Sequence, residues 1–263
     1  MRRGSAGPID LMRILIVHAH PEPKSFNAAM TREAEEVLTT SGHDVVISDL
    51  YAAGFSPVSD RRNFTTVANP DYFRQQDEES HAVQRDGFAP DIQEEMDKLF
   101  WCDCLILQFP LWWFGLPAIL KGWVDRVFAS GGCVYGGGKW YDRGVFSGKR
   151  AMCSTTVGGP APMYSDHGLN GPISMILFPI NHGMLYFTGF TVIEPFLVHA
   201  PGRLSQQERE AQLVRYRERL LHLDSAPTIT FPKLSDYDQR YVLKARRLAW
   251  DWDCAGVTLP DIK

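Results

Sequence analysis

Short apolar runs rich in β-branched residues alternate along this chain with amphipathic stretches. The runs show no apolar–polar alternation, which is typical of strands that are covered on both faces. Strands are predicted at 13–19, 44–50, 104–109, 150–157 and 191–198. Helices are predicted at about 25–41, 90–101, 116–129, 172–187 and 205–221. Because strands that alternate with helices pair in parallel through right-handed crossovers, the sequence predicts an α/β fold with a five-stranded, doubly wound sheet. Such a sheet binds its ligand beyond the carboxyl ends of its strands.

Composition narrows the class of protein. The chain has 263 residues and a formal net charge of −4, and its lysines and arginines are scattered, which argues against a nucleic-acid partner. Its five cysteines, an odd number without a disulfide spacing, favour a reducing, cytoplasmic location. The most apolar stretch, 173–198, contains Pro179 and Glu194. A buried helix followed by a buried strand explains it better than an integral membrane segment.

The chain divides into three parts. Residues 1–11 lack a signal-peptide pattern and are predicted to be a disordered leader or to precede the true start. Residues 12–222 are predicted to form one domain, and residues 223–263 a loosely structured C-terminal extension packed on that domain or on a dimer. Residues 51–90 are polar and contain several prolines and glycines, so they are predicted to be a long functional or mobile loop.

A helix is predicted to begin just after the first strand. The sequence lacks the GxGxxG dinucleotide fingerprint there. One hypothesis is that Ser25, Phe26 and Asn27 hold a phosphate or pyrophosphate with backbone amides, a hydroxyl and an amide side chain. The alternative is that Ser25 only caps the helix, and taken alone this is the better explanation.

Two more loops are predicted at the same edge of the sheet. Residues 110–117 (PLWWFGLP) offer flat apolar surfaces against a planar ring, although an interface or a core plug explains them equally well. Gly158 and Gly159 would let the backbone approach a ligand, and Tyr164 would donate a hydrogen bond, although each alone could belong to a simple turn. Three such loops that converge on one edge predict a flavin pocket.

From about 13 to 223 the chain resembles the NAD(P)H:quinone oxidoreductases, the dimeric, flavodoxin-like flavoenzymes also called DT-diaphorases. The most specific segment is QFPLWWFGLPAILKGWVDRVF at 108–128, and further segments are AHPEPKSFN at 19–27, GGPAPMYS at 158–165 and TGFTVIEP at 188–195. The resemblance implies a flavodoxin-like sheet with strand order 2-1-3-4-5. It also implies FAD rather than FMN as cofactor, and a homodimer with active sites at its interface.

The resemblance implies roles for individual residues. His20 is preferred to His18 as a phosphate contact because it precedes Pro21-Glu22, while Gln75 and Arg209 rest on weaker matches. The cofactor-binding residues are then His20, Ser25, Phe26, Asn27, Gln75, Pro110, Leu111, Trp112, Trp113, Phe114, Thr156, Val157, Gly158, Gly159, Tyr164 and Arg209. The acceptor would be bound by Trp113 and, from the partner subunit, by Tyr135 and Phe187.

The sequence departs from the family pattern at several positions. The family pairs its active-site tyrosine, here Tyr164, with a histidine six residues later, where this chain has Asn170. Asparagine can donate a hydrogen bond but cannot shuttle a proton near neutral pH, and His167 is expected to be an exposed loop residue. Gly137 replaces a second family tyrosine, which suggests a roomier acceptor pocket. A branch of the family binds a structural metal, but Tyr186 follows His182 where a second histidine is needed, so no metal is predicted.

The resemblance implies that the enzyme is an NAD(P)H dehydrogenase (quinone). NADH or NADPH would pass hydride to flavin N5 and leave, and a quinone or similar acceptor would then take the hydride in the same pocket, in a ping-pong cycle. No arginine cluster favours NADPH over NADH. The alternatives are an FMN-dependent azo- or nitroreductase, a flavin-binding regulatory subunit of a transporter, and aromatic loops that only stabilise a dimer.

Overall fold

The computed structural model describes residues 11–244. Residues 1–10 of the predicted leader and 245–263 of the predicted extension lie outside the described residues. Five strands form the sheet: β1 Arg13–His18, β2 Asp44–Asp49, β3 Cys104–Pro110, β4 Arg150–Val157 and β5 Thr191–His199. Six α-helices accompany them: α1 Phe26–Thr40, α2 Gln75–Arg85, α3 Pro90–Trp101, α4 Ala118–Val127, α5 Ile173–Ile180 and α6 Gln206–Leu221.

All neighbouring strands of the sheet are parallel, in the order β2-β1-β3-β4-β5. The predicted fold and strand order are therefore confirmed. Successive side chains of a strand point to opposite faces, so a strand covered on both sides needs apolar residues throughout. In β1, Leu15 and Val17 face a core that contains α3, α4 and α5, whereas Ile14 and Ile16 face α1 and α6.

The long polar segment between β2 and α3 is not simply a loop. It contains a 3₁₀ turn, Arg61–Asn63, and the helix α2. Glu78 of α2 is buried and accepts hydrogen bonds from the backbone amides of Ala68 (2.7 Å) and Asn69 (3.1 Å). The segment therefore buries a carboxylate in addition to apolar side chains such as Phe55, Ala82 and Phe88. Because α2 itself is mostly polar, hydrophobic periodicity gave no indication of the helix.

The predicted helix at 172–187 is two elements. α5 ends at Ile180, and the chain continues as a π-helical turn, Asn181–Tyr186. Pro179 lies inside α5 and has no amide hydrogen to donate, which removes one helical hydrogen bond at the junction.

The β5 strand forms one edge of the sheet, and its outer side is covered. Arg219 of α6 donates to the carbonyl of Glu194 (2.9 Å), and Arg215 donates to the carbonyl of Leu197. The amide of Glu194 donates to the carbonyl of Pro227 (2.9 Å), in the segment that follows α6. These polar groups on the outer side of the edge strand therefore have partners from this chain.

Between residues 11 and 244, none of the helices is both long enough and apolar enough to span a bilayer.

Candidate active site

A cavity of about 510 Å³ opens at the carboxyl edge of the sheet. It lies where β1, β3, β4 and β5 end, which is where a doubly wound sheet binds ligands. Its walls are formed by His20, Ser25, Phe26, Asn27, Pro110, Leu111, Trp112, Thr156, Val157, Gly158, Ala200, Pro201, Gly202, Arg203 and Arg209. The three loops that the sequence analysis selected therefore contribute to one site.

The start of α1 provides an anion-binding end to this cavity. Ser25 is the N-cap, and its hydroxyl accepts a hydrogen bond from the amide of Ala28 (3.1 Å). The amides of Phe26 and Asn27 lie in the first turn, where a helix offers them no acceptor of its own. Both residues line the cavity, as does Ser25, so the cap and the candidate anion site coincide.

Asn27 fixes the start of α1 to the ends of two strands. Its amide group donates to the hydroxyl of Thr156 in β4 (2.8 Å), and its carbonyl accepts from the side chain of Gln108 in β3 (2.9 Å). All three side chains are buried. Because the side-chain atoms of Asn27 are used in this way, its backbone amide is the group free to face a ligand.

Of the two histidines near the end of β1, His20 lines the cavity. Its Nδ1 accepts from the amide of Glu22 (3.0 Å), and its ring centre lies 6.0 Å from that of Trp112. His18 is buried, and its Nδ1 hydrogen-bonds the hydroxyl of Thr31 (2.8 Å). Burial lowers the pKa of both rings, which favours neutral imidazoles.

The loop after β3 has two different faces. Pro110, Leu111 and Trp112 line the cavity, and the amide of Leu111 donates to the carbonyl of Thr156 (2.8 Å). Trp113 (φ 49°) and Phe114 (φ 60°) are left-handed, a conformation that costs about 1–3 kcal/mol for a residue with a side chain. They do not line the cavity, and their exposed fractions are 98% and 53%.

The loop after β4 places Tyr164 beside the cavity. Gly158 lines the cavity, and a Cβ atom there would meet open space. A Cβ atom on Gly159 would lie 3.1 Å from the Tyr164 ring, so this glycine lets the tyrosine pack against the backbone. Gly159 and Tyr164 do not line the cavity themselves. The backbone amide of Asn170 donates to the carbonyl of Met163 (2.8 Å). His167 is exposed, as expected.

The turn after β5 supplies residues that sequence reasoning did not name. Ala200 is left-handed (φ 46°), its amide donates to the carbonyl of Val157 (2.6 Å), and a 3₁₀ turn, Pro201–Arg203, follows. The turn brings the guanidinium-bearing Arg203 to the same cavity as Arg209 of α6. In the sequence, this turn could have been recognised from the Pro201-Gly202 pair that closely follows the predicted strand.

Known proteins resemble this chain over most of its length. A family model described as a flavodoxin-like fold matches residues 12–221. NAD(P)H dehydrogenase [quinone] 1 of Cavia porcellus is 40% identical over 232 residues, which are 88% of this chain and 84% of that protein. Ribosyldihydronicotinamide dehydrogenase [quinone] of Homo sapiens is 41% identical over 209 residues, 79% of this chain and 90% of that one.

The chain belongs to the NAD(P)H:quinone oxidoreductase family of flavodoxin-like proteins. Its fold agrees with a solved structure of a Klebsiella pneumoniae protein, with a TM-score of 0.85, 38% identity, and coverage of 89% of this chain and 94% of that one. The family predicted from the sequence is confirmed, and the enzyme class of this family is NAD(P)H dehydrogenase (quinone).

Besides Trp113, Phe114, Gly159, Tyr164 and Asn170, three more residues to which the family resemblance gave roles lie outside the cavity walls: Gln75, Tyr135 and Phe187. The side-chain amide of Gln75 donates to the carboxylate of Glu79 (2.8 Å) and to the carbonyl of Asp125 (3.1 Å). Tyr135 and Phe187 contact each other, with ring centres 5.8 Å apart. For Tyr135 and Phe187 the predicted role is in the active site of a partner subunit, and all three assignments stay predictions.

The position of the family's structural metal is filled by aromatic packing. The His182 ring stacks on Phe178 with centres 4.6 Å apart, and the Tyr186 hydroxyl donates to the carbonyl of Pro232 (2.9 Å). Burial lowers the pKa of His182 to about 4. No cluster of three His, Cys, Asp or Glu side chains suited to a metal ion occurs in the part of the chain that the structure describes. The prediction that the protein holds no metal stays a prediction.

Proposed function

We propose that the protein is an FAD-dependent NAD(P)H dehydrogenase (quinone) that carries out the two-electron reduction of quinones. The observation that supports this most is the single cavity that joins the α1 N-terminus, the apolar wall at Leu111 and Trp112, and the backbone of Gly158. The three parts match the phosphate, the ring and the polar edge of a flavin.

The cationic lining of the cavity supports FAD over FMN. Besides Phe26 and Asn27 at the start of α1, the walls include Arg203 and Arg209. FMN has one phosphate, for which the helix start suffices. A dinucleotide has a second phosphate and an adenosine, and two guanidinium groups beside the turn after β5 would bind that anionic half.

Each group has a defined task in this proposal. When bound, the flavin supplies the chemistry, accepting hydride from NAD(P)H and giving it to a quinone. The α1 amides neutralise phosphate charge, while Leu111 and Trp112 exclude water from the ring. Tyr164 donates a hydrogen bond toward negative charge that develops on reduction, and the backbone amides of the Gly158–Gly159 loop assist. The loop is held in place by a hydrogen bond from the backbone amide of residue 170 to the carbonyl of Met163 (2.8 Å).

A homodimer completes the proposed site. Trp113 and Phe114 combine a strained backbone with exposed rings, and an exposed apolar patch of this kind is typical of an interaction surface. We propose that the partner subunit's Tyr135 and the partner subunit's Phe187 face these rings and bind the acceptor between the subunits.

The test combines spectroscopy with turnover. The purified protein is expected to be yellow, to lose absorbance at the flavin band when NADH or NADPH is added, and to reduce menadione. The mass of the released cofactor separates FAD from FMN. Released FMN with azo- or nitroreductase activity would support the first alternative, and bound flavin without turnover would support a regulatory subunit.

The role of Tyr164 is tested with a pair of variants. Tyr164→Phe should slow flavin reduction by roughly ten- to a thousandfold, as for the loss of one positioned donor. Tyr72→Phe is the matched control, because Tyr72 is 70% exposed and lies outside the cavity. Equal reduction rates in the two variants would refute the role of Tyr164.

A further inference from the structure

The loop after β4 lacks the titratable group that the family pattern leads one to expect. Position 170 is asparagine, which has no proton to exchange near neutral pH. His167 is in the same loop but is exposed to solvent. The environment of Tyr164 therefore has to be searched for a titratable partner that comes from another element.

His199 contacts Tyr164 from the neighbouring strand. It is the last residue of β5 and is paired in the sheet with Val157, directly before Gly158. Its ring centre lies 5.7 Å from that of Tyr164, with the ring planes at 46°. The His199 Nδ1 atom is buried and has no hydrogen-bond partner among residues 11–244. A buried, unpaired ring nitrogen is unusual enough to require an explanation.

Charged and titratable groups surround His199 on its other side. The groove beside it is lined by Arg215, Glu218 and Arg219 of α6 and by His222 after α6. Burial lowers the pKa of His199, a hydrogen bond of its ring with the backbone of Gly159 raises the pKa, and the positive charge of Arg215 lowers it further. Arg215 is fixed in place because it donates to the carbonyl of Leu197.

We propose that His199 is a positioning residue for Tyr164, which holds the tyrosine ring in place and sets a titratable charge beside that ring. This rests on the proposed function, because Tyr164 matters only if a flavin occupies the cavity. The ring of His199 packs against Tyr164 in both the neutral and the protonated form. Its positive charge, present only at lower pH, strengthens the Tyr164 hydroxyl as a donor toward negative charge.

Two substitutions separate packing from charge. His199→Phe keeps a ring of similar shape and removes the titration, whereas His199→Ala removes both. In wild type, the rate of flavin reduction should rise as the pH falls below about 6.5, since the pKa of His199 is lowered from the ordinary histidine value. His199→Phe should match wild type at pH 7.5 within about twofold and lose the rise at low pH, and His199→Ala should be about tenfold slower throughout.

His167→Gln is the matched control, because it removes an exposed histidine from the same loop. It should keep the wild-type pH profile. The inference is overturned if His199→Phe keeps the low-pH rise, or if His199→Ala reduces its flavin as fast as wild type.

A second measurement needs neither flavin nor turnover. In the flavin-free protein, the ring nitrogens of His199 can be titrated by NMR. The apparent pKa of His199 should rise in Arg215→Gln and change by at least about 0.3 in Tyr164→Phe, whereas that of His167 should stay constant in both variants. An unchanged pKa in Tyr164→Phe would refute the contact. Failure of the proposed function would instead appear as wild-type protein that binds no flavin or does not turn over, so the two failures are distinguishable.

Discussion

Replacing Asn27 with alanine is expected to lower the free energy of unfolding by about 2–6 kcal/mol. The side chain joins Gln108 (2.9 Å) and Thr156 (2.8 Å), and both partners are buried. Alanine removes both hydrogen bonds, and each buried group left without a partner costs about 1–3 kcal/mol. The loss is large because the bonds join α1, β3 and β4, elements that are far apart in the sequence.

Urea unfolding followed by circular dichroism measures this loss. Thr156→Val removes the hydroxyl that Asn27 contacts while keeping the shape of the side chain, so the two single variants and the double variant form a cycle. The coupling free energy should be about 0.5–3 kcal/mol, the range for residues in one hydrogen-bond network. Thr40→Val, an exposed position near the end of the same helix, is the control and should change stability by less than about 0.5 kcal/mol. The reasoning is refuted if Asn27→Ala costs less than about 1 kcal/mol or if the two single variants are additive.

Three more variants test other parts of the molecule. Gly122→Ala should cost at least about 1–3 kcal/mol in urea unfolding, because its Cβ would lie 2.3 Å from the backbone of Pro57, which cannot move aside easily. The double variant Arg203→Ala/Arg209→Ala should weaken FAD binding more than FMN binding, by roughly tenfold or more in fluorescence titrations of the flavin-free protein. Equal losses of affinity for FAD and FMN would refute the proposal that these arginines bind the adenosine half of FAD. His182→Phe should reduce the fall in stability between pH 6.5 and about 4, because the folded-state pKa of His182 is lowered to about 4 and protonation then favours the unfolded chain. The prediction is contradicted if urea unfolding shows that wild type and His182→Phe lose the same free energy of unfolding between pH 7 and pH 5.

The sheet could be predicted from the sequence because its strands are buried on both faces. Uninterrupted apolar runs such as 104–109 leave little choice of structure, and the predicted strand limits differ from the observed ones by no more than one residue. α2 could not be predicted in the same way, since Gln75–Arg85 has little apolar character and is anchored by buried Glu78 and Glu79. Tertiary hydrogen bonds to distant amides leave no local pattern.

In the candidate site, too, some features could be predicted from the sequence and others could not. The residues at the α1 start were predictable because a helix N-terminus after a strand has a fixed geometry, and they do line the cavity. Trp112 lines the cavity and is 40% exposed, whereas Trp113 is 98% exposed. The turn that separates them contains two consecutive left-handed residues, Trp113 and Phe114, which the sequence does not indicate for side chains of this size. The contact between Tyr164 and His199 joins the loop after β4 to the end of β5, 35 positions away in the sequence, and no motif spans that distance.

The arginine cover on β5 restricts how a second copy of the chain could bind. A strand with free carbonyls can recruit the same strand of another molecule and extend the sheet across both. Here two guanidinium groups and the segment after α6 already occupy that side of β5. Association through continuous pairing of β5 strands would first have to displace them, so copies of this protein should not extend the sheet through this edge.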